Sequence, residues 1–390
     1  MGKGTKMKKY FLISGFSIND NNRGTAALGY GAIAFLYERG FLGEEQEIVS
    51  FRFLKNPFDK RWGKTFSNLI NSGKRKWKCT LFYVPFYEKH LAIRWGILLP
   101  FTSFGRIMRN VSYVAAINGG DGFSDIYGTK TFYARLPETF VAMGLKLPLI
   151  EMPQTLGPFK ERANYKEAKR ILKYATKVYV RDEKFVSELE KGGIIYEKTK
   201  DLSAYMMPLP FDIKILPGAI GINVSGLAYF NAFQTFVGRF DKYPYLISEI
   251  VNYFQSIRKP IYLIPHSYNY NNPEINNDDL VACKEVYKGL EEKSGVCIID
   301  RDMISPQVKF VISKMSFFIG TRMHANFAAI YTGVPVFGLS YSYKFLGAFE
   351  ANGLNGDKQI GRIDDIDMEG ANNVVRKIID CYNLLVKRKR

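Results

Sequence analysis

An arginine and a histidine stand two residues apart where an apolar run gives way to small residues. The apolar run Phe317–Ile319 predicts a buried strand, and the small residues after His324 predict a helix. The first backbone N–H groups of a helix lack intrahelical partners and attract anions. Arg322 adds a forked pair of donors that suits phosphate or carboxylate, and His324 can donate a proton to a bound group. The chain has only 3 histidines, so each carries weight.

A second strand end is predicted shortly downstream. The segment Thr332–Leu339 indicates a helix stop, a turn and another buried strand, and Lys344 follows the end of that strand. Ligands of open α/β sheets bind at the carboxyl ends of neighbouring strands, so Arg322, His324 and Lys344 would face one crevice. The alternative is that Arg322 caps a surface loop, that His324 is a satisfied half-buried side chain and that Lys344 is a surface lysine.

The segment Gly320–Leu354 resembles the C-terminal signature of the polysaccharide pyruvyltransferases, which move the carbon skeleton of phosphoenolpyruvate onto sugar hydroxyls. Four further segments match motifs of that family in the family's order: Gly119–Asp125, Met152–Pro158, Val178–Glu183 and Leu263–His266. Three positions depart from the family pattern. Met323 replaces the usual leucine, Ser342–Tyr343 replaces the common Asp-Pro, and Asp201–Ala204 replaces a tighter Asp-Pro-Ala.

This resemblance implies a donor and a reaction. Phosphoenolpyruvate carries a phosphate and a carboxylate, so its site needs two cationic groups, which Arg322 and Arg181 would supply from one lobe each. His324 would protonate the methylene carbon of the donor. Two hydroxyls of one sugar would then add in turn, displacing phosphate and closing a ketal. The reaction needs no metal, and the sequence offers no cluster of metal ligands, so phosphoenolpyruvate is expected as a co-substrate without a cofactor.

Four other side chains are candidates for substrate binding. Lys344 would assist in holding the anion, and His266 would bind acceptor or phosphate. Asp125 and Gln154 would orient sugar hydroxyls or accept a proton. Simpler roles stay open for two candidates, because His266 could be structural and Arg181 could pair with an adjacent acidic residue.

Strands alternate with helices along the chain, which predicts an α/β fold with parallel sheets. The proline-rich segment Pro208–Gly218 predicts a hinge. We therefore expect an N-terminal lobe for the acceptor at residues 1–210, a C-terminal lobe for the donor at 218–375, and a C-terminal helix with a basic tail at 376–390. Two Rossmann-like lobes facing a cleft resemble the glycosyltransferase-B arrangement, which the family likeness also implies.

The formal net charge of +18 is concentrated between Lys55 and Arg109, where aromatic residues are interleaved with basic ones. This mixture suits an anionic membrane surface, and many acceptors of the family are sugars built on polyprenyl carriers. A plain solvated face and a nucleic-acid surface are the alternatives. Because no nucleic-acid motif accompanies the charge, we expect a membrane partner and no nucleic acid.

Cysteine usage and hydropathy indicate the compartment. The 4 cysteines show no metal or disulfide spacing and are expected to be free thiols in a reducing environment. The N-terminal apolar run Tyr10–Phe16 predicts the first buried strand rather than a signal segment. No window reaches the roughly 20 apolar residues of a membrane-spanning helix. The sequence therefore predicts a cytoplasmic protein that is either free or peripheral on the inner face of the plasma membrane.

Two other functions fit the same pattern. A glycosyltransferase of this fold that uses a nucleotide sugar would place the diphosphate at the helix start beside Arg322 and Lys344. A catalytically inactive scaffold of a polysaccharide assembly complex would keep the fold without the chemistry.

Overall fold

Two units divide the chain in the computed structural model, which describes residues 8–56, 58–73, 75–182, 186–232, 237–341 and 344–387. The N-unit comprises the described residues up to Ser17 together with Leu28–Met206, and the C-unit comprises Ile18–Ala27 and the chain from Met207 onward. The short segment Ile18–Ala27 thus separates from the rest of the expected N-terminal lobe. Its Arg23 donates hydrogen bonds to carbonyls of the C-unit, a long-range contact that sequence spacing does not reveal.

The N-unit is built on an eight-stranded sheet with the order β3-β4-β2-β1-β5-β6-β7-β8. All neighbouring strands are parallel except β3 and β4, which pair antiparallel. The strands are β1 (Tyr10–Ser14), β2 (Glu47–Leu54), β3 (Thr65–Ser72), β4 (Arg75–Pro85), β5 (Val111–Ala116), β6 (Leu149–Gln154), β7 (Lys177–Val180) and β8 (Glu197–Lys198).

Seven α-helices and one short 3-10 helix connect these strands in the described residues. The stretch Phe132–Met143 belongs to two helices, because Pro137 begins a new helix after Leu136. The helices are α1 (Arg23–Glu38), α2 (Phe86–Trp95), α3 (Ser103–Met108), α4 (Thr129–Ala134), α5 (Pro137–Gly144), α6 (Arg162–Tyr174) and α7 (Val186–Lys191), with the 3-10 turn at Leu202–Ala204.

The C-unit contains a six-stranded parallel sheet with the order β11-β10-β9-β12-β13-β14. Its strands are β9 (Ile220–Asn223), β10 (Ile261–Leu263), β11 (Val296–Ile298), β12 (Phe317–Gly320), β13 (Val336–Ser340) and β14 (Ile360–Arg362). Its helices are α8 (Gly226–Phe230), α9 (Tyr243–Ser256), α10 (Asp279–Gly289), α11 (Ser305–Ile312), α12 (Met323–Ile330), α13 (Lys344–Glu350), α14 (Gly356–Gln359) and α15 (Met368–Leu385). The last helix runs through residue 376, where a boundary was expected.

Strand order locates the place where each sheet binds ligands. Numbered within the C-unit, the order is 3-2-1-4-5-6, the doubly wound arrangement of a Rossmann fold. The order reverses between β9 and β12, and ligands of such sheets bind beyond the carboxyl ends of the strands at that switch point. In the N-unit the corresponding reversal lies between β1 and β5.

Buried apolar side chains cover both faces of the C-unit sheet. Along β12, Phe317 and Ile319 belong to one hydrophobic cluster and Phe318 to the other, as the alternation of a strand requires. Burial on both faces explains why the sequence of β12 is an uninterrupted apolar run. Among the described residues, no helix has both the length and the apolar character that crossing a bilayer demands.

Candidate functional site

The residues that follow β12 are fixed to the end of β9, its neighbour at the switch point. The backbone N–H of Arg322 donates to Oδ1 of Asn223 at 2.8 Å, and the Thr321 hydroxyl donates to the Asn223 carbonyl at 3.1 Å. Arg322 is the N-cap residue of α12, with an extended backbone. The intrahelical hydrogen bonds begin with the N–H groups of Ala325 and Asn326, which both donate to the Arg322 carbonyl. The sequence correctly predicts the start of this helix.

The guanidinium of Arg322 forms a buried ion pair with Asp279. Its Nη2 and Nε lie 2.7 and 3.2 Å from Oδ1 of Asp279, and Nη2 also donates to the carbonyl and side-chain oxygens of Asn277. The Arg322 side chain is 11% exposed and Asp279 is fully buried. Burial alone would lower the pKa of Arg322, but the charge of Asp279, the hydrogen bond to it and the nearby Tyr341 together outweigh burial and raise the pKa. Nη1 donates no hydrogen bond to any described residue.

Asp279, the first residue of α10, connects several loops at this edge of the sheet. Besides Arg322, its carboxylate accepts hydrogen bonds from the backbone N–H groups of Gly226, His266 and Ser267. The amide of Asn223 donates to it at 3.3 Å. These donors follow β9 and β10, so one carboxylate fixes the ends of both strands relative to Arg322.

His324 lies in the first turn of α12 and packs against the segment Ile18–Ala27. An ideal Cβ placed on Gly24 would lie 2.8 Å from both Cβ and Nδ1 of His324, so only a glycine allows this approach. The ring of Phe327 meets the imidazole edge-to-face, with centroids 5.5 Å apart. The imidazole is therefore held between its own helix and the segment that begins α1.

His266 is a buried histidine close to Arg322 and His324. The residue is 3% exposed. Burial, followed by repulsion from His324, Arg322 and Arg23, holds the pKa of His266 well below its usual value. His266 is therefore neutral at physiological pH and has one nitrogen that donates and one that accepts.

Arg23 fixes the segment Ile18–Ala27 to the rest of the C-unit. Its Nε donates to the Met303 carbonyl at 2.6 Å, its Nη1 donates to the carbonyls of Asp20 and Asn21, and its guanidinium lies over the Tyr268 ring at 4.4 Å. Its backbone N–H donates to the carbonyl of His266. Arg23 thus positions the residues next to both histidines.

In the N-unit, Arg181 follows β7 and is also a member of a buried ion pair. Its Nη1 lies 2.7 Å from Oδ2 of Asp201, and its Nε donates to the hydroxyl of Thr155 at 3.1 Å. Burial lowers the pKa of Arg181, whereas the charge of Asp201 and the hydrogen bond to it raise the pKa. The net effect is a raised pKa. An ideal Cβ on Gly120 would lie 2.9 Å from Nη1, so this glycine, which belongs to the motif segment Gly119–Asp125, makes room for the guanidinium.

Gln154 belongs to a buried polar cluster at the end of β6. Its Nε2 donates to Oε2 of Glu151 at 2.9 Å, and Nδ2 of Asn118 donates to the same oxygen at 3.2 Å. One oxygen of each of these three side chains has no partner among the described residues. Burial raises the pKa of Glu151 to about 8, so this carboxyl is protonated at neutral pH and supplies a donor to the cluster.

Asp125 holds a loop. Its carboxylate accepts hydrogen bonds from the backbone N–H groups of Lys160 and Glu161 and from the side chain of Asn164, all near the start of α6. Burial raises its pKa, but these donors outweigh burial and lower it. The geometry gives Asp125 a positioning role in this loop.

Comparison with known protein families matches residues 22–343 of the chain to the model of the polysaccharide pyruvyl transferases. The chain belongs to this family. Membership confirms the resemblance drawn from the separate motifs and implies a sugar or polysaccharide acceptor. Among curated proteins, no sequence matches this pyruvyl transferase significantly.

Solved structures with similar folds include UDP-GlcNAc 2-epimerases. The enzyme from Methanocaldococcus jannaschii has a TM-score of 0.54 at 11% identity, covering 98% of this chain and 94% of its own. The enzyme from Neisseria meningitidis, bound to UDP-GlcNAc, has a TM-score of 0.51 at 12% identity, covering 97% and 93%. At this identity the likeness concerns the fold alone, and it confirms the prediction of a glycosyltransferase-B-like α/β fold for the pyruvyl transferase.

The structure places the predicted site residues in two groups. Arg322, His324 and His266 lie together at the switch point of the C-unit, whereas Arg181 and Gln154 lie together in the N-unit, where the N–H of Arg181 donates to the Gln154 carbonyl. The side chain of Lys344 lies outside the described residues. The sequence analysis did not identify Asp279 or Arg23. Asp279 contacts Arg322 from 43 residues away in the sequence, and the backbone N–H of Arg23 donates to the carbonyl of the distant His266.

Replacing Asp279 by alanine should destabilise the pyruvyl transferase by about 3–5 kcal/mol, because the change leaves the Arg322 charge buried without its partner. Urea unfolding of the purified protein measures this cost. Glu167→Ala is the matched control, since its ion pair with Arg170 is a surface pair within one helix and contributes less than about 1 kcal/mol. Equal losses in the two variants would contradict the assigned importance of the buried pair.

Stability should depend on pH through Glu151. Folding raises the pKa of this carboxyl from its ordinary value of 4.5 to about 8, so the native protein loses stability as the pH rises through that interval. Glu151→Gln removes that loss, so the variant should gain in unfolding free energy relative to wild type between pH 5 and about pH 8. Parallel pH profiles would contradict the assignment, and Glu167→Gln is the surface control.

Proposed function

We propose that this pyruvyl transferase uses phosphoenolpyruvate as the donor and forms a pyruvate ketal on two hydroxyls of one sugar. The observation that carries the proposal is the convergence of Arg322, His324 and a neutral His266 at the switch point of the C-unit. A guanidinium corner, the start of α12 and two imidazoles suit a small, multiply charged anion that must also receive a proton.

The donor phosphate would bind at the N-terminal end of α12. The N–H group of Met323 precedes the first intrahelical hydrogen bonds of this helix, and Nη1 of Arg322 would add a charged donor. His266 would donate a hydrogen bond without adding charge, because its imidazole is neutral. Asp279 would keep the guanidinium in place while its own charge is compensated within the pair.

His324 would act as the proton donor in the first step. Its proton would go to the methylene carbon, and the neighbouring carbon would become an electrophile that a sugar hydroxyl attacks, with loss of the hydroxyl proton. A second hydroxyl of the same sugar would then form a bond to that carbon as the bond to the phosphate oxygen breaks. Phosphate would leave, the second hydroxyl proton would be released, and the ketal would close.

Side chains of the N-unit would bind charged or polar groups. Arg181 is preset by Asp201 and would bind an anion through the part of its guanidinium that Asp201 and Thr155 leave uncovered. Gln154 would bind a sugar hydroxyl through the side-chain oxygen that has no described partner. Asp125 would contribute by holding the loop before α6, and Lys344 stays a candidate for assisting the anion.

We further propose that the acceptor is a growing glycan at the inner face of the plasma membrane, where a lipid-linked sugar is within reach of a cytoplasmic enzyme. Exposed basic and aromatic residues of the N-unit support contact with an anionic membrane surface.

Phosphorus NMR of purified protein with phosphoenolpyruvate and a panel of oligosaccharides tests the donor. The proposal predicts release of phosphate only when an acceptor is present, together with an acidic sugar product that carries an acid-labile ketal. A parallel series contains nucleotide sugars in place of phosphoenolpyruvate. Release of a nucleotide there, with phosphoenolpyruvate unused, would identify a glycosyltransferase, and turnover in neither series would favour an inactive scaffold.

Replacing His324 by asparagine should lower kcat by about 10²–10⁴-fold, the usual contribution of a general acid, with a much smaller change in KM. The readout is phosphate release at saturating phosphoenolpyruvate. The matched control is His90→Asn, because His90 lies on the exposed side of α2. If the His324 variant kept the wild-type kcat, the imidazole of His324 would not be the proton donor.

A further inference from the structure

A solvent-open cavity of about 560 Å³ lies in the N-unit, and none of the predicted site residues lines it. Three of the residues that line it are the cations Lys8, Lys9 and Arg106, and none of the described residues that line it is acidic. Ser103 and Asn110 add polar groups, and Phe82 is one of the apolar residues in its wall. The cavity therefore offers positive charge, hydrogen-bond donors and an apolar surface together, a combination that suits a phosphate ester with an apolar tail.

The position of the cavity is fixed by the direction of the strands. Tyr10 begins β1, and its N–H donates to the carbonyl of Asn110, the residue just before β5. Both residues line the cavity, so it lies at the amino edge of the parallel sheet. The loops that carry Gly120 and Gln154 leave the carboxyl edge of the same sheet. A ligand in the cavity would leave those loops uncovered.

The apolar turn, defined here as the end of α2 and the chain that leads to α3, presents large apolar side chains to solvent shortly before the cavity residue Ser103. Trp95 is 60% exposed, Ile97 is 49% exposed and Phe101 is 74% exposed. Single exposed apolar residues are common, but three within seven positions form a patch that is typical of an interaction surface.

Hydrogen bonds hold this turn in its exposed conformation. Gly96 ends α2 in a left-handed conformation, and Thr102 caps α3 by accepting a hydrogen bond from the Gly105 N–H at 3.0 Å. The Leu99 carbonyl accepts hydrogen bonds from the side chains of Thr102 and Arg109. Backbone and side-chain hydrogen bonds therefore stabilise a conformation in which Trp95, Ile97 and Phe101 are exposed to water.

Charge distinguishes this end of the basic segment from the β3–β4 hairpin. Exposed Phe66 and Leu69 also lie on β3, but two cations of β4 are already paired, Arg75 with Glu44 and Lys78 with Glu47. Within the described residues, the cavity cations Lys8, Lys9 and Arg106 form no ion pair, and neither do Arg94 and Arg109, which lie near the apolar turn in sequence. Unpaired cations attract an anionic surface more strongly than cations already neutralised by a carboxylate.

We propose that the apolar turn and the basic cavity together form a docking surface for an anionic phospholipid bilayer. Trp95, Ile97 and Phe101 enter the interfacial layer, and a lipid phosphate is held by Lys8, Lys9 and Arg106. The proposal gives a location to the membrane contact proposed above and rests on that contact, but it does not depend on the identity of the donor. Because the surface lies at the amino edge of the sheet, docking leaves the carboxyl-edge loops open to substrate.

Co-sedimentation with phosphatidylglycerol vesicles, with phosphatidylcholine vesicles as the uncharged comparison, tests the surface. Wild-type protein should bind the anionic vesicles preferentially. The variant Lys8→Gln/Lys9→Gln/Arg106→Gln should bind them about a hundredfold more weakly, at roughly fivefold per cation. Trp95→Ser/Ile97→Ser/Phe101→Ser should also lose binding, whereas the hairpin variant Phe66→Ser/Leu69→Ser should bind like wild type.

Circular dichroism and turnover of a soluble acceptor report whether each variant is folded. Loss of vesicle binding with unchanged turnover supports the docking surface and separates it from the catalytic proposal, which can fail independently. The proposal is overturned if wild-type protein ignores anionic vesicles, if both docking variants bind like wild type, or if the hairpin variant loses binding equally. Displacement from the vesicles by duplex DNA at low concentration would indicate a nucleic-acid surface and would also overturn it.

Discussion

The buried ion pair between Arg322 and Asp279 is the constraint on which the site of the C-unit depends. A guanidinium at this depth is tolerated only beside a compensating charge, and a fully buried carboxylate needs donors for its remaining lone pairs. Asp279 meets both requirements by accepting from Arg322 and from N–H groups that follow β9 and β10. The interaction that neutralises the arginine therefore also fixes the strand ends around it.

The pair also explains why Arg322 is poorly suited to simple loss-of-function experiments. Removing the side chain leaves Asp279 buried and unpaired, so a fall in activity would combine a lost contact to substrate with a destabilised unit. The histidines are more informative. His324 packs on Gly24 and Phe327, and His266 is neutral without help from a carboxylate. Their substitution changes proton transfer and anion binding with less effect on the buried charge balance.

Local sequence signals predicted those parts of the structure that local physics determines. Strand β12, the start of α12 and the alternation of helices and strands follow from apolar runs and helix-start residues within a few positions. The partners of the site residues do not, because Arg322 and Asp279 are 43 residues apart and Arg23 reaches Met303 across 280. Asp125 illustrates the same limit, since only the fold shows that its carboxylate is occupied by the loop before α6.

A crystal structure of the protein with phosphoenolpyruvate bound is the most direct test of the account. We predict the phosphate of the donor at the first turn of α12, within hydrogen-bond distance of Nη1 of Arg322, with the imidazole of His324 facing the methylene carbon and the Arg322–Asp279 pair intact. A donor bound away from α12, or an Arg322 that turns away from Asp279 to reach it, would contradict the central claim that the ion pair presets the site.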